Sequence, residues 1–140
     1  MTRRQYRENA FLLLFEASLR DDTPEELYAV AEEIEEITID EHVKALVEGV
    51  LAHTEELDAV IAEFSKKRAV SRIARMNLIL LRMAIYEILY SPKVPRNVAI
   101  SEAVAISQKY TYMEDTKFIN GLLGSYNRSL PAQTEVMEEA

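Results

Sequence analysis

The chain of 140 residues reads as an all-α protein, an orthogonal bundle of six or seven helices. Two observations predict this class. Apolar residues recur every three or four positions along most of the chain, and no stretch keeps the period of two that a half-buried strand requires. Only 3 Gly and 4 Pro are present, too few for the tight turns of a hairpin-rich fold.

The first helix starts from Thr2 and places Tyr6, Ala10, Leu13, Leu14 and Ala17 at helical spacing. The turn Asp21-Asp22-Thr23-Pro24 ends it. Thr23 then caps a second helix running to about Ile37, with Pro24 at its first position and Glu26 closing a capping box. Asp40 is the next N-cap, followed by Val43, Val47, Val50, Thr54, Leu57, Ile61 and Phe64, which make one long helix or two nearly collinear ones. After the cluster Lys66-Lys67-Arg68, Ser71 opens a helix through Leu89 that is apolar nearly all round and so must be central. Arg82, inside it, requires a carboxylate, and Glu87 and Glu102 are the candidates.

The segment Ser91-Pro92-Lys93-Val94-Pro95 is a stiff connection to a helix carrying Ala99, Ala103, Ile106 and Tyr110 on one face. A final helix, capped near Asp115, uses Ile119, Leu122, Leu123 and Tyr126. Gly121 within it costs roughly 1 kcal/mol relative to Ala and points to close approach by another helix. Pro131 stops this helix. The reading is therefore a single all-α domain over residues 1–130 and a disordered acidic tail over 131–140.

Composition excludes several classes of function. With 49% apolar and 29% charged residues the chain is globular, and its lack of cysteine excludes disulfides, zinc fingers and thiol catalysis. A reducing cytoplasm suits that composition. Glu8, Asn9 and Glu16 interrupt the basic-then-apolar start, which does not read as an export signal. The most apolar run, Leu78 to Tyr90, carries Arg82 and Glu87 and falls short of the ~20 residues of a membrane span. No dinucleotide, P-loop, zinc-protease or nucleophile-elbow motif occurs. His42 and His53 are eleven apart and lack a His or Asp partner at i+4, so they read as surface or packing residues. No enzymatic activity, metal or cofactor is expected.

The net charge of −8 is unevenly distributed. Residues 21–63 hold fifteen acids against Lys44 alone, a charge of −14, whereas residues 1–20 carry +2 and residues 64–130 carry +7. Basic ends around an acidic middle are compatible with RNA, because a surface answers to its local field; simple solubilising charge is the alternative.

Two places add aromatic rings to that basic field. In the first helix Arg4, Phe11 and Phe15 share the side opposite the apolar set, with Arg7 between the two sides. Exposed, these groups would hold single-stranded RNA, guanidinium on phosphate and ring on base; buried, the two phenylalanines would pack on a second helix layer. In the last helix Lys117-Phe118 follows the N-terminus, with Lys109 and Tyr110 just before it, a phosphate site that Glu114 and Asp115 weaken.

Four motifs in order then carry a resemblance over nearly the whole chain: Arg3-Arg4-x-x-Arg7-Glu8; Leu81-Arg82-x-Ala84-x-Tyr86-Glu87; Val94-Pro95-x-x-Val98-Ala99-Ile100-x-Glu102-Ala103; and Glu114-Asp115-x-Lys117-Phe118-Ile119-Asn120-Gly121-x-Leu123. In these the chain resembles the NusB family of bacterial transcription antitermination factors. The resemblance implies two small packed helical subdomains. It implies binding of the boxA element of ribosomal RNA leader transcripts together with NusE, a small-subunit ribosomal protein, so that RNA polymerase passes terminators. It also implies an RNA-binding arm of Arg3, Arg4 and Arg7, with Phe15, Lys117 and Phe118 as neighbours on the RNA. A protein-only module anchored by Phe11 and Phe15, without RNA, is the second reading. A third, the helical subdomain of an RNA methyltransferase, would need a cofactor-binding unit beyond these residues.

Overall fold

A computed structural model describes residues 1–34 and 37–133. Among these, the elements are α1 (Arg3–Leu19), α2 (Pro24–Ala31), α3 (Glu41–Ala52), α4 (Thr54–Phe64), a 3-10 turn (Val70–Arg72), α5 (Arg75–Tyr90), α6 (Arg96–Tyr110) and α7 (Met113–Ser129). No strand occurs among the described residues. The chain divides into two compact units, one spanning Met1–Ala52 and one beginning at His53.

In the first unit α1 packs on α2 and α3. Thr2 accepts the Gln5 N–H while Gln5 reaches back to the Thr2 N–H, so two of the amides that a helix start leaves unpaired are satisfied. The same reciprocal cap joins Thr23 and Glu26, and the bonds from Thr23 hold the Glu26 carboxyl below the ordinary carboxylate range. Ala10, Leu13 and Leu14 of α1 and Val43, Val47 and Val50 of α3 are buried, as the spacing predicts. Tyr28 of α2 donates its hydroxyl to Glu48 of α3 at 2.8 Å. Burial and that carboxylate push its ionisation well above the usual tyrosine range.

α2 stops at Ala31 rather than near Ile37. Glu32, Glu33, Glu35 and Glu36 follow immediately, and successive acids at a helix C-terminus oppose the macrodipole and repel one another. Residues 35 and 36 themselves lie outside the described residues. Asp40 accepts the Val43 N–H at 2.9 Å and starts α3 as expected.

The long apolar pattern from Val43 to Phe64 is two helices, with His53 leaving helical geometry at φ −117° and ψ 15°. Thr54, Glu55 and Glu56 after it suit a new helix start, since acids stabilise an N-terminus.

In the second unit α5 packs against α4, α6 and α7, the central place that its apolar surface predicts. It opens at Arg75, after the 3-10 turn, rather than at Ser71. The carboxylate on Arg82 is that of Asp58, not of Glu87 or Glu102: Nε donates to Oδ1 at 2.7 Å and Nη2 to Oδ2 at 2.8 Å, a two-pronged pair between α5 and α4. The His53 ring sits 4.3 Å from that of Tyr90 and 5.7 Å from that of Tyr86, the packing role expected of it.

Ala99, Ala103 and Ile106 bury one face of α6. The buried hydroxyl of Ser107 is 2.7 Å from those of both Thr111 and Thr116, which fixes the start of α7 against the end of α6. Gly121 is exposed, and a Cβ built there meets nothing within 4 Å. The predicted close helix approach at Gly121 is therefore wrong. Pro131 and Gln133, assigned by sequence to a disordered tail, are gripped by Arg96: its guanidinium donates to the Pro131 carbonyl, and its backbone N–H to Gln133 Oε1 at 2.8 Å. Residues 134–140, the rest of that expected tail, lie outside the described residues.

Candidate nucleic-acid interface

The first-turn residues of α1 include no acid, and Arg3 and Arg4 add their charge to the positive end of the helix dipole. Both arginines are exposed. Arg7 is not a solvent group: it is 2% exposed, its Nη1 donates to the Arg3 carbonyl at 3.3 Å, and its guanidinium lies 4.8 Å from the Tyr6 ring centre. For that guanidinium to meet an RNA phosphate it would first have to leave this place. Arg7 thus braces the arm that carries Arg3 and Arg4.

Of the two aromatic rings predicted for this helix, Phe11 is buried at 1% exposure and Phe15 is half-buried. The opposite side of α1 is thereby split, with Phe11 following the packing reading and Phe15 remaining partly exposed.

Lys117 and Phe118 stand on α7, in the second unit. Lys117 is exposed and Phe118 half-buried. Asp115 closes the helix start by accepting the Tyr112 N–H at 3.2 Å, and its other oxygen accepts from the buried Asn77 amide at 2.8 Å. Of the two carboxylates expected to weaken a phosphate site at this end, that of Asp115 is engaged in holding the helix in place, while Glu114 is exposed.

Around Lys117 and Phe118 the fold assembles groups that sequence reasoning did not connect to them. A cleft of about 960 Å³ lies between the turn at residues 65–68 and α7. Its cations are Lys66, Lys67, Arg68, Lys117 and Arg128, and no Asp or Glu is among the described residues lining it. The Arg68 guanidinium rests over the Phe118 ring at 4.5 Å from its centre. Buried Ser65 holds the turn, donating Oγ to the Arg68 carbonyl at 2.6 Å and accepting the Arg68 N–H at 3.1 Å through its own carbonyl. The run Lys66-Lys67-Arg68 was visible as a basic cluster. The missing signal was the face of α7, where Lys117, Gly121, Ser125 and Arg128 recur at three- and four-residue spacing.

No group of three or more His, Asp or Glu among the described residues is arranged to hold a metal ion. No helix among them is long and apolar enough to cross a membrane.

A model of the NusB family matches residues 4–128. The transcription antitermination protein NusB of Ruminiclostridium cellulolyticum is 34% identical over 141 residues, covering 99% of this chain and 97% of the relative. That of Acetivibrio thermocellus is 37% identical over 128 residues, covering 89% and 87%. Among solved structures, a chain in the crystal structure of antitermination factors NusB and NusE in complex with double-stranded RNA matches with a TM-score of 0.80 and 26% identity, over 91% of this chain and 97% of that one. T. maritima NusB matches with a TM-score of 0.78 and 29% identity, over 91% and 92%.

Proposed function

The chain belongs to the NusB family, and from that premise we propose that it holds the boxA element of ribosomal RNA operon transcripts jointly with NusE, the small-subunit ribosomal protein, and so keeps RNA polymerase processive past terminators. The family is one of transcription antitermination proteins, not of enzymes. A factor acting on nascent bacterial transcripts works in the cytoplasm.

The observation that carries the RNA reading is the start of α1, where two exposed arginines sit on an acid-free helix N-terminus. Arg3 and Arg4 neutralise phosphates, and the partly exposed rings of Phe15 and Phe118 receive unstacked bases. Lys117 supplies a further cation for phosphate from the second unit. Arg7, also implied as an RNA-binding residue by the resemblance, contributes from beneath by fixing the Arg3 carbonyl. The solved relative carries NusE and double-stranded RNA; for this chain the half-buried rings favour an unpaired strand, whose bases present their faces. The protein-only module loses one of its two anchors, because Phe11 is already buried.

The test is fluorescence anisotropy of labelled boxA RNA, single-stranded and in duplex, with and without NusE, over a range of salt. Binding is expected to be salt-sensitive, stronger with NusE and stronger for the single strand. Replacing Arg3 and Arg4 by Ala together should reduce the slope of log affinity against log salt by roughly 0.7 for each phosphate left unneutralised, with helicity unchanged. An unaltered slope in that double variant overturns the assignment of the arm.

A further inference from the structure

We infer that the cleft between the 65–68 turn and α7 extends the RNA site beyond Lys117 and Phe118, and takes the phosphodiester backbone of the single strand that flanks the boxA bases. The inference rests on the RNA-binding reading above and adds to it Lys66, Lys67, Arg68 and Arg128, together with a length dependence.

Charge is the first argument. In a chain of net charge −8, this cleft gathers five cations and no acid among its described lining residues. Such a concentration in a concave surface focuses positive potential, which draws a polyanion and holds it through counterion release. Shape is the second. The volume, about 960 Å³, lies at the upper end of the range for built ligand sites. Gly121 on its wall leaves the space above α7 empty, since a Cβ added there meets nothing within 4 Å.

The third argument separates RNA from a merely acidic peptide. The Arg68 guanidinium already lies over the Phe118 ring, and a guanidinium backed by a ring is a platform on which a base can stack. Ser65 fixes the backbone of the turn that presents it. A carboxylate side chain would use the cations and leave the planar pair idle, whereas a nucleotide uses both. Arg128, anchored by donating Nη2 to Ser125 Oγ at 3.2 Å, stands on the same face of α7 and continues the cationic line.

The experiment uses the full chain with two single-stranded RNAs, boxA alone and boxA extended on either side, read by anisotropy across salt with and without NusE. The extended RNA should bind more tightly and with a steeper salt slope. Lys66→Ala with Lys67→Ala should remove that increment, lowering the slope for the extended RNA by about 0.7 for each phosphate the cleft no longer neutralises. Gly121→Leu fills the cleft without changing charge and should weaken the extended RNA by about fivefold or more, the lower end for removal of one base stack. Far-ultraviolet circular dichroism of each variant checks that helicity is retained.

If both cleft variants bind the extended RNA like the unmodified chain while Arg3→Ala with Arg4→Ala weakens it, the cleft is idle and this inference fails alone. If the unmodified chain binds neither RNA, the RNA-binding reading fails and takes the subsite with it. If the cleft variants lose NusE when no RNA is present, the cleft is a protein-docking surface and the RNA subsite is excluded.

Discussion

At the scale of single residues, the charge inside an apolar helix carried more information than its partner did. Arg82 within Leu78 to Tyr90 required a carboxylate, and the fold supplies one. The partner was not legible, because Asp58 lies 24 positions away on another helix and only tertiary packing brings the two together. The pair is two-pronged and mostly withdrawn from water, its side chains 20% and 28% exposed. Asp58→Ala should therefore destabilise the protein by about 1–3 kcal/mol in urea denaturation. A double-mutant cycle with Arg82→Ala should return a coupling of about 1 kcal/mol or more, and additive losses would show that the two groups act separately. Arg7 teaches the opposite lesson. Its position between the two sides of α1 left its exposure open, and the structure closes the guanidinium over Tyr6.

At the scale of elements, the starts marked by a capping side chain were legible, whereas α5, whose start has no side-chain cap, opens at Arg75 and not at the expected Ser71. Thr23 and Asp40 cap as expected, and Thr2 caps α1 in the same way, because an N-cap is a local bond between neighbours. Two stops depended on sums of weak effects: the acids after Ala31 ended α2 early, and nothing local to His53 required α3 to end where it does. The candidate site follows the same rule. The arm at α1 could be read because its residues are close in sequence; the cleft could not, since residues 65–68 meet α7 only in the fold. Gly121 was misread for a related reason, since an interior glycine signals close packing only where a neighbour arrives. Exposed and unobstructed, it weakens α7 with no packing return. Gly121→Ala should raise stability by about 0.5–1 kcal/mol, seen as a higher urea midpoint at unchanged slope. A lower midpoint would mean that a methyl group at this position meets a neighbour after all.

For the whole molecule, the partition of charge predicts opposite responses to salt. Residues 21–63 carry −14 and repel one another in the folded chain, so screening should stabilise it. RNA affinity, resting on neutralised phosphates, should fall over the same range. Thermal unfolding followed by circular dichroism from ~0.01 M to ~0.15 M salt should show a rising midpoint, while anisotropy shows weakening binding. A midpoint that falls with salt would mean that attraction between the basic and acidic segments outweighs repulsion within the acidic one.

The grip of Arg96 on Pro131 and Gln133 bears on how the molecule responds to force. It ties the chain beyond α7 back to the first residue of α6, closing α6 and α7 into a loop. Tension applied at the C-terminus is therefore borne first by this clasp, and α7 is peeled from α5 and α6 only after it opens. The second unit thus carries a latch just past its last helix, which a pull from that side must open before it reaches the core.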